Sequence, residues 1–240
     1  MHAPHACRQQ NGEPTYGGYS SHIVCRESFV IKLAPEMHEP SVAPLLCAGI
    51  TTYAPMRDFG CDKAGQRIGV VGLGGLGHIA VKFAKAFGQH VTVISRSEAK
   101  RGLATDELGA DAYLPMSDGV AVAAAARSMD AIINTVSATH DIDGLMALLD
   151  VDGQMLIVGA PEEPHAIGAW SVMEKRRSVR GTMFGGVAQT RECLEFCREN
   201  AIRCDVEVIE MGYANEAIER MMAGDVKFRF VIDNMRSVIA

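Results

Sequence analysis

The sequence predicts an α/β fold, a doubly wound parallel sheet with smaller segments at its two ends. Three observations predict it. Residues 68–95 read as one strand–helix–strand unit around a glycine-rich turn. From there to residue 182, short apolar runs alternate with helical stretches, the pattern of a sheet built from crossover units. The chain has 240 residues, 48% of them hydrophobic, enough to bury a substantial core.

The first unit organises the rest. Residues 68–71 form a short apolar run, and Gly72, Leu73, Gly74, Gly75, Leu76 and Gly77 follow at once. Residues 78–87 then carry Ile79, Phe83, Ala86 and Phe87 at helical spacing, Gly88 ends the helix, and residues 91–94 supply the next strand. Gly72 permits the tight turn out of the strand, Gly74 lets backbone approach a pyrophosphate, and Gly77 lets the helix pack against the sheet. The helix N-terminus offers unpaired N–H groups and partial positive charge to that pyrophosphate. A glycine turn with a purely structural role is the competing reading. The strand before, the helix after and the second strand at this distance favour a dinucleotide.

The end of the second strand selects the cofactor. NAD sites place a carboxylate there for the ribose hydroxyls. This chain has Ser95, Arg96 and Ser97, with Lys100 and Arg101 close behind. A 2′-phosphate would meet no repulsion, and Arg96 and Lys100 would offer it charge-assisted hydrogen bonds, with a neutral one from Ser95. NADP(H) is therefore expected over NAD(H). The bland alternative makes Arg96, Lys100 and Arg101 a solvated helix start. Glu98 lies in the first turn of the next helix, where it suits the dipole, and is not read as a ribose ligand.

Before this unit, residues 1–20 are polar and rich in glycine and proline and read as a loop or frayed end. Residues 21–24 and 29–33 read as short strands around a polar turn, too few for an independent sheet. Residues 34–44 contain Pro35, Pro40 and Pro44 and read as a linker with at most a short helix. Residues 43–58 are apolar and helical in parts, with Pro55 breaking or kinking them, and residues 61–66 form a turn. After the first unit come a helix over 98–108 ended by Gly109, a strand at 112–114, a helix over 120–128, a strand at 131–134, a helix over 143–149, and strands at 155–158 and 178–182. Six strands complete a Rossmann domain over residues 45–188. Residues 189–240 leave the sheet: helices over 189–200 and 215–222 and a closing strand at 228–232, joining the segment at 1–44.

A formal charge of −6 argues against nucleic acid as partner. No apolar run is long enough to span a membrane, and the first residues lack the apolar stretch of a secretory signal. The seven cysteines are odd in number and form no CxxC pair, which suits a reduced, cytoplasmic protein. Cys193 and Cys197 share a helix face, where core filling is the expectation over metal binding.

Several stretches carry a specific resemblance: Gly17-Gly18-Tyr19-Ser20; Pro44 to Tyr53 around Cys47; Gly72 to Gly77; Asn134-Thr135-Val136-Ser137-Ala138; Val158-Gly159-Ala160-Pro161; and Arg229-Phe230-Val231-Ile232-Asp233. From about Thr15 to Asp233 the chain resembles the cinnamyl-alcohol-dehydrogenase-type branch of the zinc-containing medium-chain alcohol dehydrogenases. The resemblance implies hydride transfer between NADPH and an aldehyde, a zinc Lewis acid, a small-molecule aldehyde or alcohol substrate, and a homodimer. It implies Cys47 as a zinc ligand. It implies Thr51, Gly72, Leu73, Gly74, Gly75, Leu76, Gly77, Ser95, Arg96 and Lys100 as cofactor contacts, with Thr135, Gly159, Thr182, Met183 and Phe184 on the nicotinamide side. It also implies that residues 1–44 are a remnant of a β-rich GroES-like catalytic domain to which residues 189–240 return. The family's Gly-His-Glu motif and its four-cysteine cluster have no counterpart here; His38-Glu39 lacks that context, and His2, His5 and Cys7 lack ligand spacing. The expectation is an N-terminally shortened member, with no catalytic residue assigned, impaired catalysis, reduced stability and association through an uncovered apolar face. Two alternatives stay open: an NADP(H)-binding chain without catalysis, and a zinc-independent quinone or enone reductase.

Overall fold

The computed structural model describes residues 23–234. Gly17 to Ser20, His2, His5, Cys7 and the first half of the strand expected at 21–24 lie outside them. Within them, β1 (Arg67–Val71), β2 (His90–Ser95), β3 (Ala112–Pro115), β4 (Met129–Asn134), β5 (Leu149–Ile157) and β6 (Ser178–Gly181) form one parallel sheet in the order β3-β2-β1-β4-β5-β6. This is the doubly wound order 3-2-1-4-5-6, which reverses direction between β1 and β4. Val71 lies level with Ile94 on one side and Asn134 on the other, so the carboxyl ends of β1, β2 and β4 share one edge.

The central strands β1, β2 and β4 are largely apolar on both faces, as a doubly covered sheet requires. On one face Ile68, Val70, Val91, Val93 and Ile133 pack under α1 (Ala48–Asp58), α2 (Gly77–Ala86) and α6 (Val187–Glu199). On the other, Val71, Ile94, Met129, Ile132 and Met155 pack with Ile142, Leu145 and Met146 of α4 (Ile142–Met146). Helices α3 (Gly119–Ala124) and α5 (Ala169–Met173) complete this part.

Several elements depart from the sequence reading. Residues 23–33 form no strand; they hold a single 3₁₀ turn at Glu27–Phe29, and Ile23, Val24 and Phe29 are exposed. Two strands with no third to pair with do not persist. The proline-rich linker winds into 3₁₀ turns at Pro35–Met37 and Pro40–Leu46, and α1 runs unbroken through Pro55. The proline forfeits one backbone bond, and burial of Ala54 and Met56 on either side offsets it. The helix expected over 98–108 is irregular, a 3₁₀ turn at Glu98–Lys100 followed by a π turn at Leu103–Glu107. The helix expected over 143–149 stops at Met146, because Leu149 already pairs with Met129 in the sheet.

The tail holds an element the sequence reading missed. A strand at Val206–Ile209, β7, pairs in parallel with β8 (Arg229–Ile232) across α7 (Ala214–Met222). Cys193 and Cys197 face inward from α6 and are buried with Cys204. Burial pushes the Cys204 thiol up to about 12, and the Cys197 hydrogen bond and burial raise Cys193 too, so Cys193 and Cys204 stay protonated and fill space.

Candidate functional site

A cleft of about 760 Å³ opens over the shared edge of β1, β2 and β4. Its floor is the turn from β1 to α2. Gly72 leaves the strand at φ 84°, where a side chain would be strained and would strike Val136. A Cβ at Gly77 would lie 2.1 Å from the Gly72 carbonyl oxygen, so only glycine lets α2 begin this close to the strand. Above Gly74, by contrast, nothing lies within 4 Å of where a Cβ would stand, and the turn is open to the cleft. Thr135 ties the next loop down by donating from its hydroxyl to the Val71 carbonyl at 2.8 Å.

The wall on the β2 side carries the positive charge. Lys100 donates from Nζ to the Leu73 carbonyl at 2.8 Å, which brings its ammonium to the glycine-rich turn. Arg96 also lines the cleft, exposed and with no hydrogen bond or ion pair among the described residues. Arg101 is paired with Glu98, with 2.6 Å between Nε and the carboxylate, and Glu98 is thereby occupied. No carboxylate stands at the end of β2. Asp141, on the far wall, caps α4 by accepting from the Gly144 N–H at 2.9 Å.

Sequence reasoning missed one cationic residue of the cleft. Arg229 of β8 reaches across with its guanidinium against Gly75. Its signal was present in the closing Arg229 to Asp233 stretch, but nothing local in that stretch says which face of the sheet it meets. His140, another lining residue, is held between the Asn134 amide at 2.9 Å and the Ala138 carbonyl at 2.6 Å.

The structure thus gathers Gly72, Leu73, Gly74, Gly75, Leu76, Ser95, Arg96, Lys100 and Thr135 around one space, with Gly77 opening the helix beneath it. The remaining expected residues lie outside that lining. Thr51 donates to the Met183 carbonyl at 3.4 Å, and Thr182 to that of Phe184 at 3.1 Å, which brings the 182–184 segment to α1. Gly159 backs against the Val136 carbonyl of the cleft loop. Cys47 is exposed at the start of α1. Among the described residues no group of three or more His, Cys, Asp or Glu could hold a metal ion. Catalytic zinc needs three protein ligands, so the described residues alone do not fit it.

Residues 75–199 match the family model described as zinc-binding dehydrogenase. The chain belongs to that family. Among curated proteins it is similar to cinnamyl alcohol dehydrogenase 2 of Rauvolfia serpentina, 51% identical over 93% of this chain. It is similar also to 8-hydroxygeraniol dehydrogenase of Catharanthus roseus, 49% identical over 93%. In each case the match covers 62% of the relative's length. Among solved structures it superposes on a cinnamyl alcohol dehydrogenase from Sorghum bicolor, with TM-score 0.92 and 46% identity over 95% of this chain and 65% of that one. The Helicobacter pylori cinnamyl alcohol dehydrogenase complexed with NADP(H) gives TM-score 0.82 and 32% identity over the same shares. No helix among the described residues is long and apolar enough to cross a membrane.

Proposed function

We propose that this dehydrogenase-family chain binds NADP(H) in the cleft and serves hydride transfer between NADPH and a small aldehyde or its alcohol. The observation that carries the reading is the charge of the cleft: Arg96 and Lys100 stand at the end of β2 where an NAD site keeps a carboxylate. The diphosphate would lie over Gly74 and Gly75 at the start of α2, beside Arg229. The 2′-phosphate would fall to Arg96, Lys100 and Ser95, with Lys100 exchanging the Leu73 carbonyl for a phosphate oxygen. NADPH held there would supply a hydride to the carbonyl carbon, and solvent a proton to the oxygen. Thr135, Gly159 and the 182–184 segment would border the nicotinamide half. The six described cysteines are free thiols, which supports a cytoplasmic setting.

A second reading is favoured by the ligand count. Cys47 is the only thiol or imidazole of the described residues that the family resemblance makes a zinc ligand, so binding without catalysis fits this chain as well. We also read it as a homodimer. Edge strand β6 is open, and the segments flanking it in the chain expose Trp170, Met173, Met183 and Phe184.

Titration of the purified chain with NADPH and NADH, with zinc assayed on the same sample, tests these readings. NADPH is expected to bind more tightly, and Arg96→Ala to cut the preference by about tenfold, the worth of one charge-assisted contact. Equal affinities for the two nucleotides, or an unchanged preference in Arg96→Ala, would remove the 2′-phosphate assignment. Zinc at one per chain together with aldehyde reduction would decide for catalysis over binding alone.

A further inference from the structure

We propose that His78 is a positioning residue for the cofactor: its ring anchors the Gly74 carbonyl and thereby aims the Gly75 N–H at the diphosphate. This rests on the NADP(H) reading above. The Gly74 carbonyl oxygen accepts twice from one residue, from the His78 backbone N–H at 3.0 Å and from ring Nδ1 at 3.0 Å. The ring is fully buried, stacked on Phe228 with centroids 4.2 Å apart and planes 2° from parallel. Nε2 is enclosed and has no partner among the described residues.

These contacts fix the tautomer. Burial pushes the His78 pKa down to about 4, so the ring is neutral and carries one N–H. A proton on Nε2 would leave a buried donor unpaired and set the Nδ1 lone pair against the Gly74 oxygen. The proton therefore sits on Nδ1 and is donated to that oxygen.

The consequence follows from the planarity of the peptide. In a trans peptide the C=O and N–H point in opposite directions. The Gly74 carbonyl points down into α2, so the Gly75 N–H points away from the helix toward the cleft. It donates to no group among the described residues. Glycines stand on both sides of this peptide and tolerate either sign of φ, so nothing in their own sterics stops the plane from flipping. A flip would present the carbonyl oxygen to the diphosphate in place of a donor. The ring bond adds a second restraint against it, and Phe228 holds the ring in place next to Arg229, whose guanidinium lies against Gly75.

Two substitutions separate this role from packing. In His78→Asn the side-chain amide sits where Nδ1 does and keeps the donor, but the stack on Phe228 is lost. In His78→Leu the apolar volume stays and the donor goes. Thermal midpoints and dissociation constants for NADPH and for adenosine 2′-monophosphate, which has no diphosphate, are measured on the full chain. Expected are an NADPH affinity within about threefold of the unaltered chain for His78→Asn, despite its lower midpoint, and a loss of about tenfold for His78→Leu. Affinity for adenosine 2′-monophosphate should stay unchanged in both. The inference is overturned if NADPH affinity follows the thermal midpoint, if His78→Leu binds NADPH normally, or if both nucleotides weaken together. Failure of the unaltered chain to bind NADPH would remove the cofactor reading itself, and the inference with it.

Discussion

At the scale of single residues, His78 also links the site to the pH dependence of stability. Its imidazole has a folded-state pKa near 4 against an ordinary value of 6.5, with burial as the chief cause. The unfolded chain therefore binds the proton first. The stability that the neutral ring allows is complete above pH 6.5 and is lost as pH falls toward 4. Between pH 7 and pH 5 the loss amounts to about 2 kcal/mol. Urea unfolding at the two values should show it, and His78→Leu should flatten the slope; an equal slope in the variant would place the effect on other groups. Of the cleft's charges, Arg96 and Lys100 were legible because they follow a strand end whose role is set by position. Arg229 was not, since its place against Gly75 depends on how the tail folds back. Exposed Cys47 was legible only through resemblance, since one thiol has no spacing pattern to read.

At the scale of elements, helix ends show which signals were plain. Helix α2 ends as its glycine predicts: Gly88 takes φ 74°, and the Gln89 N–H returns to the Ala84 carbonyl at 3.1 Å. Helix α6 ends in the same geometry without a glycine. Ala201 is held at φ 51°, donating to Arg198 at 3.4 Å, while the Ile202 N–H returns to Cys197 at 2.8 Å. An alanine in the left-handed region is strained, and Ala201→Gly should stabilise the chain by about 0.5–1 kcal/mol after the entropic cost of glycine. A shifted thermal midpoint would show this; a fall in the midpoint would mean that packing around Ile202 outweighs the strain. The central strands β1, β2 and β4 were readable because each carries a short, mostly apolar buried run. Strand β7 was not, because Val206, Glu207, Val208 and Ile209 are at most partly buried and alternate weakly. The expected strands near residue 30 failed for the converse reason, good strand composition with no partner to pair with.

At the scale of the molecule, six strands in a parallel, doubly wound sheet were legible in the alternation of runs, while the strand order and the tail's contacts came from the structure. Residues 35–46 and 189–234 meet through Arg203 on Glu39 and the Cys204 N–H on the Ser41 carbonyl at 3.0 Å, contacts between segments far apart in sequence. The open edge at β6 sets the expectation for assembly. Sedimentation should give a dimer, and Met183→Asp, which places a charge among the exposed apolar side chains beside that edge, should shift it to monomer; a dimer that survives the change would put the interface elsewhere. The cleft itself has a timing built into it. All six strands of the sheet lie before residue 182, whereas Phe228 and Arg229, which cover His78 and Gly75, come nearly fifty residues later. A ribosome therefore releases the six strands well before the residues that close this wall of the cleft. A chain that stopped before residue 228 would leave His78 without the ring stacked on it and Gly75 without its neighbouring guanidinium.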